Sequence, residues 1–234
     1  MIKEKLISYE WAIAIYKGET PSELRPFLEA SKTALTFEDV NDIKAEFVAD
    51  PFMILINNLW YMFFEVLNAK SGLGEIGYAT SYDCIEWTYK EIVLREKFHL
   101  SYPMVFKENQ QLYMVPETRQ AGEIRLYKAT DFPKKWEQEK VLIKGDYADA
   151  TLFKEDNKWW MFALNGTKNL HLDLLVAPIC LAAAFEKVFQ DATPDSTSII
   201  MFISVSKLIE NLANSTLFLT SITFKTFCTT ATFL

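Results

Sequence analysis

The feature that most constrains this chain is a segment that recurs three times without a gap. Ala49–Glu65 (ADPFMILINNLWYMFFE), Ser101–Glu117 (SYPMVFKENQQLYMVPE) and Ala148–Leu164 (ADATLFKEDNKWWMFAL) are offset by 52 and then 47 residues. Asp50, Tyr102 and Asp149 share one position, and Asn57, Asn109 and Asp156 share a second. The triplets Trp60-Tyr61-Met62, Leu112-Tyr113-Met114 and Trp159-Trp160-Met161 share a third. Another motif follows the first two copies: GEIGYATSYDCIEW (Gly74–Trp87) matches GEIRLYKATDFPKKW (Gly122–Trp136) with one inserted residue. A short strand-like run closes each, Glu91–Leu94 and Lys140–Ile143. One unit therefore reads as strand, polar turn, aromatic strand, Gly-Glu, strand, loop, Trp and short strand, with turn chemistry between the apolar runs.

Four antiparallel strands repeated every 40–50 residues or so are the mark of a β-propeller blade. The reading is an all-β chain, a partial or divergent five-bladed propeller built from four-stranded blades, with about two and a half blades between residues 38 and 169. Residues 1–37 precede the blades. Within them Thr20–Ala34 is expected to hold a short helix, since Thr20 can cap it, Pro21 suits its first position and Glu23 a capping box. Pro26 limits its length. Residues 170–234 form an atypical tail: they contain no Gly, Trp or Tyr and only eight charged residues. Either this tail covers the blades in a different way, or the chain is an altered or truncated version of a longer one; a shifted frame near Asn169 would produce such a break.

In a propeller the first strand of every blade lines the central channel, so Asp50, Tyr102 and Asp149 converge at one mouth. The second strand runs back, which places Glu65 and Glu117 beside them. Four carboxylates (Asp50, Glu65, Glu117, Asp149) are thus expected to ring one opening. Paired carboxylates are what glycoside hydrolysis uses, one protonating the leaving oxygen and the other activating water or attacking the sugar. Crowding raises the pKa of at least one of them. Trp60, Tyr102, Tyr113, Trp159 and Trp160 offer flat faces to sugar rings, with Tyr102, Trp60, Trp159 and Glu65 as the candidate substrate contacts. Packing between blades is the competing role, expected for at least three of the five aromatics. Asp50-Pro51 has its own plain alternative, the start of a strand where no ladder donor is needed.

Composition narrows the partners. The chain is 50% hydrophobic with a net charge of −7, and it has no concentrated basic patch for nucleic acid. No stretch reaches 18 apolar residues, so no membrane span is expected. The beginning lacks a signal-peptide pattern. With three widely spaced cysteines, Cys84, Cys180 and Cys228, the expectation is a cytoplasmic protein with reduced thiols. His99 and His171 share no ligand spacing, so neither a metal nor a cofactor is expected. Exposed blade edges invite self-association.

The run FVADPFM resembles the Asp-Pro signature that opens the first blade of five-bladed glycosidases of glycoside hydrolase family 43. More closely, EFVADPFMI, SYPMVF, LYMVPE and DATLF…WWMF resemble the propeller domain at the N-terminus of plant glucosamine inositolphosphorylceramide transferases and their bacterial relatives, over residues 38–168 or so. The resemblance to the glycosidases implies Asp50 as general base; their motif does not give Glu117 the acid role, and Glu117 or Asp149 is the candidate acid if the chain is catalytic. Two departures stand out: Met104 occupies the place of that family's tuning Asp, and the third copy offers Asp149 near the acid position rather than a clear Glu. Two functions follow as expectations, a glycosidase-like hydrolase or a non-catalytic glycan-binding region associated with a glycosyltransferase system. A third is a remnant whose tail has abolished function.

Overall fold

The computed structural model describes residues 9–18, 24–27, 33–155, 158–166, 171–175 and 199–208. Strand β1 (Tyr9–Gly18) pairs with the two-residue β2 (Arg25–Pro26). The first full blade is β3 (Ala45–Ile56), β4 (Leu59–Asn68), β5 (Gly74–Ser81) and β6 (Thr88–Leu94), hydrogen-bonded in that order. The second repeats it with β7 (Ser101–Glu108), β8 (Gln111–Glu117), β9 (Glu123–Asp131) and β10 (Lys135–Lys144). The third sheet is β11 (Tyr147–Glu155), β12 (Lys158–Asn165) and β13 (His171–Leu175). Strand β14 (Ile199–Leu208) returns from the tail to pair antiparallel along β1, with Tyr9 opposite Leu208. All strand pairs are antiparallel, and the chain is an all-β protein of propeller type.

The repeat seen in the sequence extends to individual hydrogen bonds. The hairpin residues Asn57 and Asn58 both have positive φ, as do Asn109 and Gln110. Two such residues in a row make the type I′ turn whose twist matches the flanking strands. The indole N–H of Trp87 donates to the Cys84 carbonyl at 3.1 Å, and that of Trp136 to Pro133 at 2.8 Å. Each closing Trp thus pins its own loop three residues back.

The helix expected over Thr20–Ala34 is not found where that segment is described. Arg25 and Pro26 are extended opposite Lys17 and Tyr16, and the Ala34 N–H donates to the Ile13 carbonyl. Strand β1 offers open backbone groups, and pairing with them overrides a weak local capping preference. The rest of the segment lies outside the described residues.

Each blade is apolar on both faces, so three cores are stacked between four sheets. One face of the first blade (Met53, Trp60, Met62, Phe64) packs against Ile13, Ile15 and Leu35. Its other face (Phe52, Ile54, Phe63, Tyr78) packs against Leu100, Tyr102, Met114 and Trp136 around the second blade. The second blade's far face (Tyr113, Val115, Ile124, Leu126) packs against Ala150, Leu152, Trp159 and Met161 of the third. Burying a large apolar side chain contributes roughly 1.5–3 kcal/mol, so these faces dominate stability.

Two kinds of polar contact join successive blades. The carbonyl of Gly74 accepts the Leu100 N–H, and that of Gly122 accepts the Gly145 N–H. In each case the glycine near the start of the third strand ties down the segment that leads to the next blade. Between the second and third blades the Lys154 ammonium meets the Glu108 carboxylate at 3.0 Å, with side chains only 9% and 3% exposed.

Two predictions follow from these junctions. A Cβ on Gly74 would lie 2.2 Å from the Leu100 carbonyl oxygen, so Gly74→Ala must displace backbone and is expected to lower the denaturation midpoint more than an exposed Tyr82→Ala control. Glu108→Ala takes away the carboxylate that the buried Lys154 ammonium meets, so it is expected to cost about 3–5 kcal/mol. Urea denaturation of Glu108→Leu/Lys154→Met should return most of that loss; a double variant as weak as the single would show that the charges themselves stabilise the junction.

Candidate functional site

The site begins with a backbone irregularity that occurs three times. Ala49 pairs with Glu65 and Phe52 with Phe63, so two residues, Asp50 and Pro51, face the single residue Phe64. The second blade does the same between Ser101–Glu117 and Met104–Val115, and the third between Ala148–Leu164 and Thr151–Phe162. Each is a β-bulge, and its first extra residue is left-handed: Asp50 has φ 50°, Tyr102 46° and Asp149 50°. Such a conformation costs on the order of 1–3 kcal/mol, least for Asp and more for a bulky Tyr. Pro51 and Pro103 follow where the ladder is interrupted, so their missing N–H costs little. The extra residue also inverts the face of the strand. Val48 belongs to the first core, whereas Phe52, four residues on, belongs to the second.

The bulges bring the acidic positions of neighbouring blades together. The Glu117 carboxylate accepts the backbone N–H of Asp149 at 3.3 Å across the second junction. At the first junction, Tyr102 packs edge-on against Phe52 with ring centroids 4.8 Å apart. The Tyr102 hydroxyl meets the Thr151 hydroxyl at 2.8 Å, which links the second bulge to the third. Met104 Sδ accepts the Leu152 N–H at 3.1 Å.

His99, in the connection from β6 to β7, sits at the centre of this cluster. Its Nε2 lies 3.0 Å from the Glu65 carboxylate, and its Nδ1 accepts the Gly74 N–H at 2.9 Å. Its backbone N–H donates to the Gln120 side chain at 3.0 Å. The hydrogen bond to Glu65 raises the imidazole pKa above its ordinary value, burial opposes this, and the charges of Glu65, Glu117 and Asp50 add to the rise. The Gly74 N–H fixes the neutral ring's proton on Nε2, facing Glu65. One blade further on, the Arg119 guanidinium pairs with Asp146. Arg119 is held above the ordinary guanidinium value, chiefly by its hydrogen bond to Asp146, with Glu117 and Asp149 contributing through their charges. Asp146 is in turn held below the ordinary carboxylate value by Arg119.

Asp50, Glu65 and Glu117 all act on His99 through their charges, and Glu117 meets the Asp149 backbone. Their environments differ. Glu65 is 5% exposed and turned onto His99, while Asp50, Glu117 and Asp149 are partly exposed. Tyr102 is buried by its contacts with Phe52 and Thr151. Trp60 and Trp159 lie elsewhere. Trp60 pairs with Leu55 and Trp159 with Lys154, next to the hairpin turns. Five strand residues separate those positions from the bulges, on the order of 15 Å. Trp60 is packed in the first core, and Trp159 packs at a tilt against Phe106 and beneath the Lys154 ammonium. Among the described residues no group of three or more His, Cys, Asp or Glu is arranged to hold a metal.

Arg119, Gln120 and Asp146 are not marked out by the sequence pattern, and His99 is set aside there for want of ligand spacing. One signal for two of them was present: the 47-residue offset, carried three positions back from Tyr102 and Asp149, lands on His99 and Asp146. Each supplies the partner on the connecting segment, His99 to Glu65 and Asp146 to Arg119.

Known proteins match this chain in sequence and in fold. A family model described as glucosamine inositolphosphorylceramide transferase 1, N-terminal, matches residues 7–183. Glucosamine inositolphosphorylceramide transferase 1 of Oryza sativa subsp. indica is 38% identical over 174 residues, covering 68% of this chain and 23% of the relative. The Arabidopsis thaliana protein of the same name is 31% identical over 173 residues, covering 67% and 22%. The chain thus spans less than a quarter of the length of these relatives. Among solved structures, an exo-β-1,3-galactanase from Phanerochaete chrysosporium crystallised with β-1,3-galactotriose superposes with a TM-score of 0.54 at 15% identity. That match covers 66% of this chain and 37% of the galactanase, and it is a likeness of fold. By the extent of its match, the chain belongs to the family of the N-terminal region of glucosamine inositolphosphorylceramide transferase 1.

Proposed function

We propose that this region recognises a carbohydrate or glycoconjugate for a glycosyl-transfer system and does not itself hydrolyse a glycosidic bond. It does so as part of a five-bladed ring of the glycosidase type, with the mouth around Asp50 as its binding site. The observation that carries this reading is the engagement of the carboxylates. Glu65 is buried against His99, and Glu117 accepts the Asp149 N–H. A hydrolase needs a carboxylic acid poised to protonate the leaving oxygen, and here two of the four carboxyl groups hold neighbouring segments together. Met104 stands where the glycosidase pattern places a tuning Asp, and its sulfur is engaged with the third blade. The partly exposed Asp50, Asp149 and Arg119 suit hydrogen bonding to sugar hydroxyls. The transferase named in the relatives supports a glycoconjugate as the class of ligand.

A glycan-binding screen on the wild type and Asp50→Asn, with released sugar assayed in parallel, tests this. Asn tolerates positive φ at least as well as Asp, so the variant is expected to keep the wild-type melting temperature. A charge-assisted hydrogen bond lost from the mouth should weaken binding by roughly 10-fold or more, with no sugar released by either protein. Release that depends on Asp50 would replace this reading with hydrolysis, Asp50 acting as the base and Glu117 or Asp149 as the acid.

A further inference from the structure

The first two junctions share one plan but use groups of different chemistry. In each, a glycine near the start of the third strand accepts an N–H from the connection to the next blade, Leu100 to Gly74 and Gly145 to Gly122. In each, a side chain of the connection is paired with the blade, His99 with Glu65 and Asp146 with Arg119. Arg119 is held above and Asp146 below the ordinary value, so that pair stays charged through the neutral range. An imidazole, by contrast, changes charge near neutral pH. The His99 side chain is 27% exposed, so a proton reaches it from solvent.

The geometry around the ring leaves no spare place for that proton. Nε2 turns its hydrogen to the Glu65 carboxylate at 3.0 Å, and the Nδ1 lone pair accepts the Gly74 N–H at 2.9 Å. A second proton can enter only at Nδ1, where it points at the Gly74 N–H, and two donors cannot share one line. Gly74 has little room to adapt. A Cβ there would lie 2.2 Å from the Leu100 carbonyl oxygen, 2.8 Å from His99 Cε1 and 2.9 Å from the Glu65 carboxylate.

We propose that His99 is a pH-operated latch: the neutral ring clasps the Gly74 N–H, and the protonated ring releases it and sets a positive charge among Glu65, Glu117 and Asp50. The charges that face the ring come from three strands, Asp50 on β3, Glu65 on β4 and Glu117 on β8. The hydrogen bond to Glu65 favours the charged form most, burial opposes it, and the three carboxylate charges add to the gain. The connection between β8 and β9 offers the neutral Gln120 side chain, which accepts the His99 backbone N–H. The folded protein therefore binds this proton more tightly than the unfolded chain does. The resulting stabilisation is full below the unfolded-state value and fades as pH rises through the folded-state value. Opening the latch at low pH thus leaves the fold intact, with the Leu100 N–H still held by the Gly74 carbonyl. The inference concerns the junction and holds whatever the site beside it binds.

Nuclear magnetic resonance of the full chain from about pH 5 to 9 tests it. Leu73-Gly74 is the one Leu-Gly pair in the sequence, so labelling leucine carbonyls and glycine nitrogens isolates the Gly74 amide. The His99 ring is expected to titrate with a midpoint above about 6.5. Across that midpoint the Gly74 amide should shift and, beyond the intrinsic pH dependence, lose roughly fivefold or more of its exchange protection, as one lost hydrogen bond requires. The Gly122 and Gly145 amides of the second junction should not respond. In His99→Gln the side chain can donate to Glu65 and accept from Gly74 but takes no proton, so the Gly74 transition should vanish. Should that variant not fold, Glu65→Gln serves instead, and it is expected to lower the ring's midpoint and carry the Gly74 transition down with it. A Gly74 amide that stays unmoved while the ring titrates would overturn the proposal. So would a ring that remains neutral down to the acid end of the range, or a Gly74 transition that persists unshifted in either variant.

Discussion

The structure depends on one constraint: a blade with apolar residues on both faces cannot be stable alone. A half-solvated antiparallel sheet alternates apolar and polar residues, but here β4 is nearly all buried, from Trp60 through Val66. Such a strand needs a sheet on either side, and the chain meets the need by stacking. The aromatic triplet in the repeat divides between two cores. Trp60 and Met62 go to one side and Tyr61 to the other. Propeller geometry follows from this division, since each blade must be both the cover of its predecessor and the floor for its successor.

The bulges at the start of each first strand connect that packing to the mouth. A strand without the extra residue would keep Val48 and Phe52 on the same side and leave one core underfilled. The bulge corrects the face and at the same time sets Asp50, Tyr102 and Asp149 in a left-handed conformation outside the regular ladder. Strain of this kind persists only where surrounding structure over-determines it. Here the restraints are the interblade contacts themselves, through Glu117 to Asp149 and Tyr102 to Thr151. The polarity of the connecting pairs changes along the chain: blade carboxylate with linker imidazole at the first junction, blade guanidinium with linker carboxylate at the second.

Much of the fold was legible because its signals are local and repeated. The Asn-Asn and Asn-Gln turns, the closing tryptophans and the gap-free offset specify hairpins without reference to anything distant. The equivalence of Asp50, Tyr102 and Asp149 was legible for the same reason, and each is the first extra residue of a bulge. The helix expectation fails at Arg25, Pro26 and Ala34, because β1 captures them through backbone bonds that no local pattern announces. The roles of Trp60 and Trp159 turned on distance along a strand, and burial beside the hairpin turns assigns them to packing. His99 carried no ligand spacing, yet it organises the first junction.

The sequence by itself determined the repeating unit, its turns, its two-faced hydrophobicity and the set of acidic positions at one end. These follow from residue type at short separation, where sterics and alternation act directly. Only the tertiary structure decided where Glu65 and Glu117 find partners, in segments 34 and 32 residues away at His99 and Asp149. It also decided that the three bulges share a left-handed residue. Such partners come from the next sheet, and a strand's own residues cannot encode the surface that will lie against them.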